Sequence, residues 1–122
     1  MAVRISRQRA EQRGHRAETI ALWYLRCKGY RLLARRFKSP AGEVDLIMRR
    51  GRTTAFIEVK ARPTVNEAIE AVTPYQSKRI AAAAGFFMSQ DDKAAKGFCR
   101  FDIVAIPSTF WPTHIPNAFD GT

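Results

Sequence analysis

Two short apolar runs, Gly42-Glu43-Val44-Asp45-Leu46-Ile47 and Phe56-Ile57-Glu58-Val59-Lys60, carry charged residues at alternate positions. In an extended chain successive side chains take opposite faces. Glu43 and Asp45 therefore share one face, Glu58 and Lys60 share one face, and Val44, Leu46, Ile57 and Val59 turn the other way, into a core. The basic stretch Arg49-Arg50-Gly51-Arg52 between the runs predicts a hairpin turn. A two- or four-residue loop centred on Arg50-Gly51 sets Glu43 opposite Glu58 and collects all four charged groups on one side of the sheet. A three-residue loop would undo this, because a one-residue slip flips every side chain.

Three carboxylates beside one ammonium repel one another. A divalent cation relieves that repulsion, and Mg²⁺ or Mn²⁺ suits carboxylate and carbonyl oxygens. Lys60 beside such a metal orients or activates a water. The chemistry this set points to is metal-assisted hydrolysis of a phosphodiester, with charge at the reacting phosphate stabilised by the metal. The plainer alternative is a surface ion pair on a solvent-facing strand.

The rest of the composition fits that chemistry. The 122 residues carry a formal charge of +10. Residues 1–38 hold 11 Lys or Arg against Glu11 and Glu18, which leaves +9, while the remainder is close to neutral. A basic block of this kind is an electrostatic footprint for a polyanion, with nucleic acid the leading candidate and an anionic membrane surface or simple solubility as alternatives; the phosphodiester chemistry makes DNA the expected partner ahead of RNA. The longest uncharged apolar run, Ile80 to Met88, is nine residues, too short for a membrane span. The arginine-rich start lacks a secretory core and reads as a basic arm. Cys27 and Cys99 offer neither zinc spacing nor a disulfide framework, and read as buried thiols of a cytoplasmic protein.

Positioning the charged set requires a scaffold, and the periodicity supplies one. Residues 1–16 read as the basic arm and helix start, and the helical pattern runs from about Gln8 to Lys28 with Gly29 as its stop. A weak strand, Tyr30 to Arg36, precedes the hairpin strands, roughly Glu43–Met48 and Thr53–Lys60. Pro63 to Val72 is loop or short helix. Thr73-Pro74-Tyr75-Gln76 is a helix start, with Thr73 as cap and Gln76 completing a capping box. That helix runs to about Met88, a polar connector spans Gln90 to Gly97, and Phe98 to Ile106 is a strand. Residues 107–122, with Phe110 and Trp111, read as an irregular tail. The order α-β-β-β-α-β over one domain, 1–122, predicts an α/β fold: a mixed sheet with helices on both faces, in which the third and fourth strands are parallel.

Other residues border the charged set. Glu18 lies at the edge of the inward stripe of the first helix. It either reaches the acidic cluster or forms an ion pair with a neighbouring Arg or His15. Gln76 is either a cap partner or a contact to phosphate or water. Lys78 and Arg62, with Arg13 and Arg16 of the basic block, are phosphate contacts or solvated surface. Asp102, within Phe101-Asp102-Ile103-Val104, reads as a paired structural acid outside the site. Trp23 and Trp111 read as core residues, with stacking on bases as the alternative.

Glu18, Gly42-Glu43-Val44-Asp45-Leu46-Ile47, Phe56-Ile57-Glu58-Val59-Lys60, Lys78-Arg79-Ile80, Phe101-Asp102-Ile103-Val104 and Asn117-Ala118-Phe119 together resemble the YraN family of small bacterial proteins. The resemblance covers nearly the whole chain. The order of elements with Asp and Glu-x-Lys further resembles the PD-(D/E)xK nucleases, whose core is restriction-endonuclease-like, and among them the archaeal Holliday-junction resolvases. That resemblance implies a metal bound by Asp45, Glu58 and the backbone carbonyl of Val59. It implies Lys60 as the residue that positions water, Glu18 as the completion of the site, Glu43 as an accessory acid and a homodimer acting on branched DNA. Where the family often has Asn, this chain has Arg36.

Overall fold

The computed structural model describes residues 2–108 and 111–120, with side chains from residue 12 onward except that of residue 13. The chain runs α1 (Ala2–Cys27), β1 (Arg31–Ser39), β2 (Gly42–Arg50), β3 (Thr53–Ala61), α2 (Val65–Glu70), α3 (Pro74–Gln90), α4 (Asp92–Lys96), β4 (Phe98–Ile106) and β5 (Thr113–Ile115). The five strands form one sheet in the order β1-β2-β3-β4-β5. β3 and β4 are parallel and every other pair is antiparallel. This is the expected mixed α/β sheet, extended at one edge by β5.

Two apolar clusters cover the two faces. On one, Ala17, Ala21, Leu22 and Leu25 of α1 pack on Leu46, Met48, Ala55 and Ile57. On the other, Ile80, Ala83 and Ala84 of α3 pack on Val44, Ile47 and Phe56. Helices therefore lie on both faces, as the i, i+3, i+4 spacing requires. α1 ends where expected, with Tyr30 N–H donating to the Leu25 carbonyl as the chain leaves the helix. It begins earlier than the pattern suggested, at Ala2, because Arg, Gln and Ala are good helix formers even without an apolar stripe.

α3 lies close on β2. A Cβ built on Gly42 would stand 1.8 Å from the Arg79 carbonyl oxygen, so only glycine admits the helix backbone there. Thr73 caps α3 as expected, its hydroxyl accepting from Gln76 N–H at 3.1 Å.

Several expectations need correction. The polar connector contains α4, capped by Asp91, whose carboxylate accepts from Ala94 N–H. Of the two readings of Pro63 to Val72, by contrast, the short helix holds: it is α2, capped by Thr64. The tail is not wholly irregular, since Thr113–Ile115 pairs with β4. Trp23 and Trp111 are 57% and 74% exposed rather than core residues. Arg26 stacks over the Trp23 ring, which faces away from the sheet. Cys27 and Cys99 are exposed free thiols, one at the end of α1 and one near the start of β4, where burial has faded.

Candidate functional site

The hairpin turn sits one residue later than expected. Arg50 pairs with Thr53, leaving Gly51-Arg52 as the loop. Gly51 takes φ 61 while Arg52 stays on the negative side, the sign pattern of a II′ turn, which wants glycine first. The pairing then runs through Leu46↔Ile57. Continued by one step, it sets Asp45, not Glu43, opposite Glu58.

The strand alternation also breaks at this point. Val44 belongs to the α3 cluster, whereas Leu46 and Met48 belong to the α1 cluster. Two even-numbered neighbours on opposite faces mean that β2 changes phase at Asp45. The expectation that Val44 and Leu46 share a face is therefore wrong, and the ladder to β3 stops beside Asp45. Into that opening goes the Asp45 carboxylate, which accepts the Val59 N–H at 2.8 Å.

Asp45 and Glu58 are thereby brought into contact. Burial, the Asp45 charge and a hydrogen bond with Asp45 push the Glu58 carboxyl up to about 8, against the opposing pull of Lys60. Lys60 Nζ lies 3.5 Å from Glu58 Oε2, and both side chains are only 12% exposed. At neutral pH Glu58 keeps its proton, because burial and the neighbouring Asp45 charge both disfavour its ionised form.

Glu18 comes in from α1. Its carboxylate accepts from Arg36 Nε at 3.1 and 3.3 Å. Burial and the Asp45 charge raise its pKa, and Arg36 pulls the other way. Glu18, Glu43 and Asp45, with Arg36, Lys38 and His15, line a cavity of about 190 Å³. The ion-pair reading of Glu18 holds, with Arg36 of β1 as the partner, and the pair borders the cavity that Asp45 also lines. Arg36 makes that bond from φ 51, a left-handed conformation in which Asn is at home and Arg is not.

Gln76 makes only half of the expected capping box. Its backbone N–H bonds Thr73, but its side-chain Oε1 is buried with no partner among the described residues. α3 packs chiefly on β2, where the Arg79 carbonyl stands against Gly42, and Ile80 shares the cluster of Val44 and Phe56. Gln76 lies one turn before Arg79 and Ile80, in the first turn of α3. Lys78, Arg16 and Arg62 are exposed, and the Arg13 side chain lies outside the described residues. Among the described residues, no group of three or more His, Cys, Asp or Glu side chains is arranged around a common point.

A second buried acid is separate from this set, as expected. Asp102 is fully buried and accepts from Arg100 at 2.8 and 2.7 Å and from Asn117 N–H at 2.9 Å. His114 Nε2 lies 2.8 Å from Asp102 Oδ2, and Lys28 Nζ lies 3.0 Å from the other ring nitrogen. Burial pushes the Asp102 carboxyl up, but the bonds from His114, Arg100 and Asn117 outweigh it and hold it below its usual range.

Sequence reasoning allowed Glu18 an arginine partner but missed that it is Arg36, 18 residues on and in β1. Three adjacent signals, Arg35, Arg36 and the inward position of Glu18, were visible, but no spacing rule connects a helix to an edge strand.

Comparison with known proteins gives one consistent match. The family described as "Uncharacterised protein family UPF0102" matches residues 17–106, which include every acid of the candidate site. A UPF0102 protein of Chelativorans sp. is 51% identical over 95% of this chain and 94% of its own length. One of Mesorhizobium japonicum is 47% identical over 95% and 93%, and one of Bartonella tribocorum 47% over 93% and 87%.

Proposed function

From the premise that this chain belongs to the UPF0102 family, the group the YraN resemblance indicated, we propose that it is a divalent-metal-dependent, endonuclease-like DNA-binding protein. In this reading its core is restriction-endonuclease-like. Branched or recombining DNA is its substrate and the chain works as a homodimer. The observation that carries the reading is the half-buried Asp45–Glu58 pair, in which burial and the Asp45 charge push the Glu58 carboxyl up to about 8. A structural acid is expected to be matched by donors, as Asp102 is; this pair lacks a cation's worth of positive charge.

The donor set fits a hard divalent ion, since carboxylate oxygens suit Mg²⁺ and Mn²⁺. Asp45 and Glu58 would hold it, with the carbonyl of Val59 alongside and Glu18 and Glu43 at the cavity edge. Bound there, the metal would supply charge stabilisation at a phosphate and an acidified water. Lys60, kept at 12% exposure beside Glu58, would hold that water in place. Gln76 presents an unsatisfied acceptor from the α3 side, suited to a water or a phosphate-bound proton. Arg13, Arg16, Arg62 and Lys78 would contact the backbone, where basic residues give salt-sensitive, sequence-independent attraction.

Calorimetric titration with Mn²⁺, wild type against Glu58→Ala, tests this. Binding in the wild type that vanishes in the variant is expected, followed by metal-dependent cleavage of branched DNA. Absence of Mn²⁺ binding with and without DNA would sink the enzyme reading. A second reading then stands: a catalytically silent DNA-binding module on the same fold. It is favoured by the Arg36–Glu18 and Lys60–Glu58 pairs, which already occupy two of the acids with cations.

A further inference from the structure

A groove of about 340 Å³ opens beside the candidate site and is not explained by it. Its walls include Ile20 of α1, Ala61 and Pro63 after β3, and Ile106 at the end of β4, with Arg16 and Arg62 also lining it. Both arginines are exposed, and none of the lining residues is acidic. The groove adjoins both arms of the acidic set. Ala61 and Arg62 directly follow Lys60, and Arg16 lies two residues before Glu18.

Apolar walls with two guanidiniums suit an amphipathic anion: a flat or aliphatic body with charge at one end. The volume is near the low end of small-molecule sites, about 300–1,000 Å³, enough for one nucleotide and too small for a duplex. A paired base is stacked inside its helix and has no apolar face to offer. An unpaired base has one, and its flanking phosphates match Arg16 and Arg62.

We propose that this groove takes the base of one unpaired nucleotide, so that the substrate is DNA interrupted by a bulge, flap or junction rather than continuous duplex. This rests on the reading of the chain as a DNA-binding protein and does not require cleavage. Charge alone would favour all DNA equally; the groove adds a preference for a strand that leaves the stack.

The test is fluorescence anisotropy without divalent metal, at one fixed salt concentration. Three probes are compared: a 20-mer duplex, the same duplex with one bulged adenine, and the same duplex with a bulged abasic residue. The abasic bulge keeps the flexible backbone and removes the base. Wild type is expected to bind the bulged adenine about tenfold more tightly than either control, as one sequestered base warrants. Ala61→Phe, which fills the groove, is expected to abolish that ratio while leaving duplex affinity unchanged. Ser108→Trp on the same groove carries the same test if the first variant does not fold.

Equal affinity for adenine and abasic bulges in the wild type overturns the proposal. So does a preference that survives both folded variants, which would return the groove to an apolar protein segment. A preserved adenine preference with no Mn²⁺ binding at Asp45 and Glu58 would instead keep this proposal and discard the enzyme.

Discussion

Asp102 and Glu58 are both acids within strands of one sheet, β4 and β3, paired in register one position apart. Their surroundings are opposite. Asp102 is met by Arg100, His114 and a backbone N–H, and its carboxyl sits below the usual range. Glu58 is met by another acid and one lysine, and sits at about 8. Full satisfaction marks an acid that holds the fold together, here by tying the β5 segment to β4. An unrelieved pair marks an acid kept at a cost to stability, which is the usual signature of a site.

Substitutions can break or sharpen this contrast. The largest effect belongs to Asp102→Ala, which takes the carboxylate away from Arg100, His114 and the Asn117 N–H at once. A loss of about 3–5 kcal/mol is expected in urea denaturation, with the β5 segment released first. A loss under about 1 kcal/mol would remove the contrast.

Gly42→Ala is next. Its Cβ would collide with the Arg79 carbonyl, so a loss of about 2–3 kcal/mol is expected, with reduced Mn²⁺ affinity as α3 is pushed from β2. An unchanged midpoint would mean that α3 is less closely seated.

Glu58→Gln goes the other way. The folded-state pKa of Glu58 is raised above its ordinary 4.5, so its contribution to stability is intact below that value and is lost as pH rises through about 8. Wild type and variant should match at pH 4, and the variant should be the more stable by several kcal/mol at pH 8.5. Melting curves across that window check the sign, and a variant less stable at pH 8.5 would show that Glu58 is structural after all. The proton on Glu58 must leave when a cation binds there. Mn²⁺ titrations at pH 7 in two buffers of different ionisation enthalpy should report about one proton released per ion.

Arg36→Asn is the smallest and sharpest change. Asn accepts the left-handed backbone more readily, a gain of about 0.5 kcal/mol, while Glu18 loses its arginine. Stability should change little while Mn²⁺ binds several-fold more tightly, because an acid is freed. Unchanged affinity would place Glu18 outside the metal's reach.

Much of this was legible in the chain. Period-two and period-3.6 patterns located β2, β3, α1 and α3, and the Thr73-Pro74 start was read to the residue. Parity pointed to Asp45, Glu58 and Lys60, which the structure brings into contact, but it also tied Glu43 to them, and the phase change of β2 at Asp45 breaks that link. α4 and β5 were missed because short elements set by a single cap or by pairing with a distant strand leave no periodic trace.

By itself, then, the sequence determined which residue types lie where along each element: apolar stripes, acids at alternate strand positions, a basic start and family membership. Tertiary structure alone decided that β2 changes phase at Asp45, that Arg36 crosses to Glu18, that Gln76 leaves an acceptor buried, and that Asp102 is satisfied where Glu58 is not. The reason is physical. Local pattern reports which side of an element faces the core, whereas pairing, burial and charge depend on groups that the fold brings together from distant parts of the chain.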